Sequence, residues 1–145
     1  MPSAKDFFSA EQIKSIGSAL KVAEDNSSGE IRVHIENRCK AEPLECATKV
    51  FAKLKMHKTE SRNGILFYLA VRDKKFAIVG DAGIHKQVPE GFWDLVRDKM
   101  LGSFKNEKFS EGLCEGIAMT GKELKKYFSL LASDKNELSN DVTFK

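Results

Sequence analysis

The 145-residue chain is poor in the residues that mark the common chemistries. Its three cysteines, Cys39, Cys46 and Cys114, form no C-x-x-C pair and are odd in number. Neither a disulfide framework nor a zinc site is expected from them, and a reducing, cytoplasmic setting fits better. No stretch approaches the roughly 18 apolar residues of a spanning helix, so direct membrane insertion is not expected. Residues 1–8 hold one Lys and no apolar core, which reads against a secretory leader. Lys and Arg number 24 against 21 Asp and Glu, a formal charge of only +3, and the basic residues are scattered. Without a basic track for phosphates, nucleic acid is not an expected partner. The G-x-x-x-x-G-K-[ST], G-x-G-x-x-G, H-E-x-x-H and G-x-S-x-G signatures are all missing, and no cysteine is followed six residues later by Arg. The three histidines, His34, His57 and His85, are dispersed, and each reads as a surface or supporting group rather than a catalytic base.

What remains is an ordinary globular balance, 41 % hydrophobic and 31 % charged, with a clear alternation of elements. Ser9 and Gln12 have capping-box spacing, and Ile13, Ile16, Leu20 and Ala23 follow at helical intervals, predicting a helix over about 9–25. Asp25 to Gly29 is turn chemistry. Ile31, Val33 and Ile35 alternate with Arg32, His34 and Glu36, a strand with one apolar face. Pro43 opens a second helix with Leu44, Ala47, Val50, Phe51 and Leu54 on one side. After the Asn63-Gly64 turn, Ile65 to Val71 is apolar almost throughout, as in a central strand covered on both faces. Phe76 to Val79 then pairs with it as a hairpin. Two helices follow, one carrying Phe92, Leu95, Val96 and Met100, the other over about 109–128. Gly112, Gly116 and Gly121 weaken that last helix by about 1 kcal/mol each unless they let it lie close to a neighbour. Leu66, Leu69, Ile78, Ile31 and Val33 are the expected core, and residues 129–145 an expected loose, polar tail. The order α, β, α, β, β, α, α predicts a three-layer α/β/α sandwich around a small mixed sheet.

The chemistry that stands out is oxygen ligands at turns. Asp25, Asn26, Ser27 and Glu30 cluster at the start of the first strand, Glu60 and Asn63 precede the second, and Asp81 follows the third. If the strands are neighbours, these loops converge at one end of the sheet. Carboxylates with an amide suit a hard cation, calcium or magnesium, although Asp, Asn, Ser and Gly are also simply what turns use.

Three segments carry a family resemblance: Ser27-Ser28-Gly29-Glu30-Ile31-Arg32-Val33, Arg62-Asn63-Gly64-Ile65-Leu66, and Ala77-Ile78-Val79-Gly80-Asp81-Ala82-Gly83-Ile84. With Phe8-Ser9, Ala23-Glu24, Trp93 and the stretch 109–116, they resemble the TPM-domain family over residues 7–128. The resemblance implies a stand-alone, bacterial-type member with an α/β/α sandwich and crossing loops that hold divalent metal, typically calcium, with magnesium as the alternative. By motif it places Glu30, Asn63 and Asp81 at or beside the metal. Asp25 and Glu60 are added from local sequence. Three functions stay open: a cation-binding module that signals to or docks a protein partner, a metal-dependent acid phosphatase, and a scaffold without chemistry. For the phosphatase, Arg32, Arg62 or His85 would hold the phosphoryl group. Ser27, Ser28 and Asp81 are nucleophile candidates by position alone.

Overall fold

A computed structural model describes residues 3–25, 27–128 and 142–144. The elements run α1 (Ala10–Glu24), β1 (Glu30–Glu36), α2 (Pro43–Lys53), a 3-10 turn (Met56–Lys58), β2 (Gly64–Ala70), β3 (Lys75–Gly80), α3 (Ala82–His85), α4 (Phe92–Phe104), α5 (Phe109–Tyr127) and β4 (Val142–Phe144). The capping box closes as its spacing requires: the Ser9 N–H donates to Gln12 Oε1 at 2.9 Å, and the Gln12 N–H to Ser9 Oγ at 3.1 Å.

The four strands lie in the order β3-β2-β1-β4, with β1 parallel to β2 and β4 and β2 antiparallel to β3. One face carries Ile31, Val33, Ile35, Ile65, Phe67 and Leu69 against α1, α4 and α5. The other carries Leu66, Tyr68 and Ala70 against α2 through Ala47, Val50 and Phe51. β2 is buried along its whole length, which is why its sequence is apolar without alternation. The result is the α/β/α sandwich expected from the pattern, with the helices unequally shared between its faces.

The α5 glycines do what their spacing suggests. A Cβ at Gly121 would stand 2.7 Å from both the Cα and the Cβ of Ala23, so α5 and α1 can meet this closely only without it. No helix among the described residues is long and apolar enough to cross a membrane.

Three expectations are corrected. Cys39 and Cys46 are joined by a disulfide that ties the loop after β1 to α2, leaving Cys114 as the free thiol among the described residues. Counting cysteines could not reveal that two of them, seven residues apart, fold to a Cα separation of 6.2 Å. The tail is not loose where it is described, because Val142–Phe144 forms β4 and pairs with Val33–Ile35. Ile78 is half-buried rather than core, because β3 lies at the edge of the sheet; Leu66, Leu69, Ile31 and Val33 are buried.

Candidate functional site at the sheet end

Because β1 and β2 run parallel and β3 returns antiparallel beside β2, the starts of β1 and β2 and the end of β3 lie at one end of the sheet. Backbone bonds lock the three loops together. The Glu30 N–H donates to Asn63 O at 3.4 Å, the Asp81 N–H to Gly64 O at 3.0 Å and the Gly83 N–H to Arg62 O at 2.8 Å. Gly83 is required at this crossing, since a Cβ there would run into the Ser61 and Arg62 backbone oxygens. The Ser28 N–H reaches Phe128 O at 2.8 Å, bringing in the end of α5, and the Glu24 carboxylate accepts the Ile31 N–H at 2.6 Å.

Asp81 caps the short α3, its Oδ1 accepting the Ala82 N–H at 2.7 Å. Arg62 holds the same carboxylate with two bonds, Nε to Oδ2 at 2.7 Å and an Nη to Oδ1 at 2.8 Å. Burial by itself would raise the Asp81 carboxyl, but the Arg62 guanidinium, the Ala82 amide and nearby His57 outweigh it and hold the group below its ordinary value. The pair is lopsided, with the Arg62 side chain 52 % exposed and that of Asp81 6 %.

Asn63 is fully buried. Its backbone N–H donates to Thr59 Oγ1 at 3.2 Å and its amide nitrogen to Ser28 Oγ at 3.3 Å, while Oδ1 has no hydrogen-bond partner. A buried, unmatched amide oxygen is costly, about 1–3 kcal/mol, and needs an explanation. Of the five residues named from the sequence, Glu30, Asn63 and Asp81 are buried where the loops cross. Asp25 and Glu60 are exposed in the flanking loops. No group of three or more His, Cys, Asp or Glu side chains suited to a metal occurs among the described residues. The bidentate role of Arg62 was missed by the sequence reading. The only signal was one positive residue in a loop opposite one negative residue in another.

A second polar cluster lies on the α2 side of β1. His34 is buried, not a surface group, with Nδ1 2.6 Å from Thr143 Oγ1 and Nε2 3.3 Å from Glu36 Oε1. The Tyr68 hydroxyl donates to the other Glu36 oxygen. Burial, followed by the bond to Glu36, pushes the Tyr68 hydroxyl far above its usual value, so it stays a donor.

Comparison with known proteins fits this arrangement. The family model for the TPM domain matches residues 3–123. The chain belongs to the TPM-domain family. This TPM domain is similar to the BA42 protein from the psychrophilic bacterium Bizionia argentinensis, whose structure was determined by NMR, at 41 % identity and a TM-score of 0.91 over 100 % of both chains. Two more distant NMR structures share the fold. One is the N-terminal domain of a P. gingivalis protein, at 18 % identity and TM-score 0.71 over 85 % of this chain and 80 % of that one. The other is the N-terminal domain of a Corynebacterium glutamicum protein, at 13 % identity and TM-score 0.66 over 90 % and 81 %. No curated protein matches the chain.

Proposed function

We propose that this TPM domain binds a divalent cation, calcium in preference to magnesium, where its three loops cross, and that cation binding orders those loops for docking a partner. The observation that carries this reading is the buried Asn63 Oδ1 without a hydrogen-bond partner, at the crossing that also holds the buried Asp81 and Glu30. The donors available there are carboxylate, amide and hydroxyl oxygens, the set that suits a hard cation. Calcium tolerates an irregular shell and backbone ligands better than magnesium does, which favours it at a loop site.

The cation would supply positive charge at the end of the sheet. Arg62 supplies that charge to Asp81 otherwise, and its exposed guanidinium can swing into water once a cation takes over the pairing with the buried Asp81 carboxylate. Asp81 and Asn63 would hold the cation, with Glu30 beside them. The exposed Asp25 and Glu60 would enter only through movement of their loops.

The phosphatase reading has less support. Ser27 Oγ accepts the Gly29 N–H and Ser28 Oγ accepts from Asn63, so both hydroxyls are engaged within the loop, while Asp81 is held by Arg62. The Cys39–Cys46 bridge also withdraws the support that the cysteines lent to a cytoplasmic location. The test is a calcium titration followed by amide NMR. Saturable shifts grouped at residues 27–30, 62–64 and 81–83 are expected, and shifts elsewhere or none would refute the site.

A further inference from the structure

We propose that the Cys39–Cys46 bridge is a site of covalent modification by a small anionic thiol, which opens the bridge and stays attached to Cys46. This inference does not depend on the cation reading, because the bridge lies beyond the end of β1, at the other end of the sheet from the loop crossing. A cup of about 240 Å³ lies between α2 and the loop after β1, and both cysteines line it. The two sulfurs are not equivalent. Cys39 is 3 % exposed, whereas Cys46, in the first turn of α2, is partly open to water. A thiolate arriving from solvent therefore meets Cys46 first, and Cys39 is the sulfur that leaves.

The cup selects its reagent by charge. Arg38, Lys40, Lys49 and Lys53 line it with a single carboxylate, Glu36. That carboxylate is already engaged by Tyr68 and His34. Arg38 is paired with Asp73 and Lys49 lies 3.9 Å from Glu45, but Lys40 and Lys53 have no ion-pair partner among the described residues. Attack on a disulfide is made by the thiolate, so the reagent brings one negative charge, and a carboxylate beside its sulfur brings another. Four cations around a space the size of a small molecule favour such a reagent over a neutral or cationic one.

The departing sulfur is also provided for. Cys39 Sγ lies 3.1 Å from Ala41 O, so the thiol it becomes has an acceptor at hand. The loop that carries it is pinned without the bridge. The Cys39 N–H donates to Asp73 Oδ2 at 2.7 Å, and Lys75 Nζ donates to Cys39 O and Ala41 O, each at 3.1 Å. The step balances without oxidant or reductant. The thiolate sulfur bonds to Cys46 Sγ, the Cys39–Cys46 bond breaks, and its electron pair leaves on Cys39, which takes a proton from water.

The full chain is treated separately with mercaptosuccinate (anionic), 2-mercaptoethanol (neutral) and cysteamine (cationic). Opening is followed by acid quenching and mass spectrometry. Each rate is divided by that of the same thiol on hydroxyethyl disulfide, which removes its intrinsic reactivity. On this scale the anionic thiol should exceed the cationic one by at least about tenfold at low salt, and the margin should collapse in about 1 M salt. Peptide mapping should find the adduct on Cys46 and a free thiol at Cys39, with the amide pattern of the sheet retained. Lys40→Gln combined with Lys53→Gln, two changes at exposed positions, should remove most of the margin. Equal scaled rates for the three thiols, an adduct on Cys39, or opening only in denaturant overturns the proposal.

Discussion

Two polar clusters sit on this small sheet, and they are built on opposite principles. Around His34, each group has a partner within the fold: Thr143 on one ring nitrogen, Glu36 on the other, and Tyr68 on the second Glu36 oxygen. At the loop crossing, Asn63 Oδ1 is buried without a partner, and the buried Asp81 carboxylate is held by an arginine that is half in water. A closed network in a low-dielectric setting rigidifies, and here it fastens β4 to β1 through Thr143. An open one keeps an unmatched acceptor oxygen and an exchangeable counter-charge, which is what a cation site requires. The contrast shows that burial of polar groups does not by itself mark function; how completely they are matched does.

The sharpest way to break the contrast is to open the closed cluster. Tyr68→Phe removes a donor from a buried carboxylate and should cost about 1–3 kcal/mol in chemical denaturation, with calcium affinity unchanged. Next in size is loss of β4. Ending the chain at residue 141 removes the Thr143 bond to His34 and the packing of Val142 and Phe144 against the core, for an expected loss of about 1–2 kcal/mol. Amide shifts should then be centred on Val33–Ile35.

At the open cluster the stability effects should be smaller. Arg62→Gln removes the half-exposed partner and leaves the buried Asp81 carboxylate with the Ala82 N–H, so it should cost about 1 kcal/mol. It also frees the Asp81 carboxylate, so calcium affinity measured by calorimetry should rise. The same pair sets a pH dependence. Because the folded state holds the Asp81 carboxyl below its unfolded value, its contribution is present above the ordinary carboxylate range and lost as pH falls through the lowered folded value. Denaturation midpoints across the acid range should therefore fall less steeply in Arg62→Gln than in the unaltered chain.

Much of the fold was legible because it follows from local rules. The Ser9–Gln12 capping box, the unbroken apolar run of β2 and the short Phe76–Val79 strand that follows it each depend on neighbours in sequence. The meeting of Glu30, Asn63 and Asp81 at one end of the sheet followed from placing three strand ends. What stayed hidden depends on approach in space. The Cys39–Cys46 bridge needs the loop after β1 to face the first turn of α2. The three residues of β4 are held by a partner 109 positions away, with no period of their own to declare them. The Arg62–Asp81 pair joins two loops 19 residues apart, and nothing in either loop announces the other.

The central claim is that the loop crossing is a cation site with Asp81 in it, and the most direct measurement is calorimetric titration of calcium into Asp81→Asn beside the unaltered chain. The substitution keeps an oxygen for the Ala82 cap bond but removes one charge and one of the two acceptors that the half-exposed Arg62 engages. Calcium affinity is expected to fall by about tenfold or more, each tenfold being about 1.4 kcal/mol, while stability without calcium changes little. An unchanged calcium affinity in Asp81→Asn would contradict it.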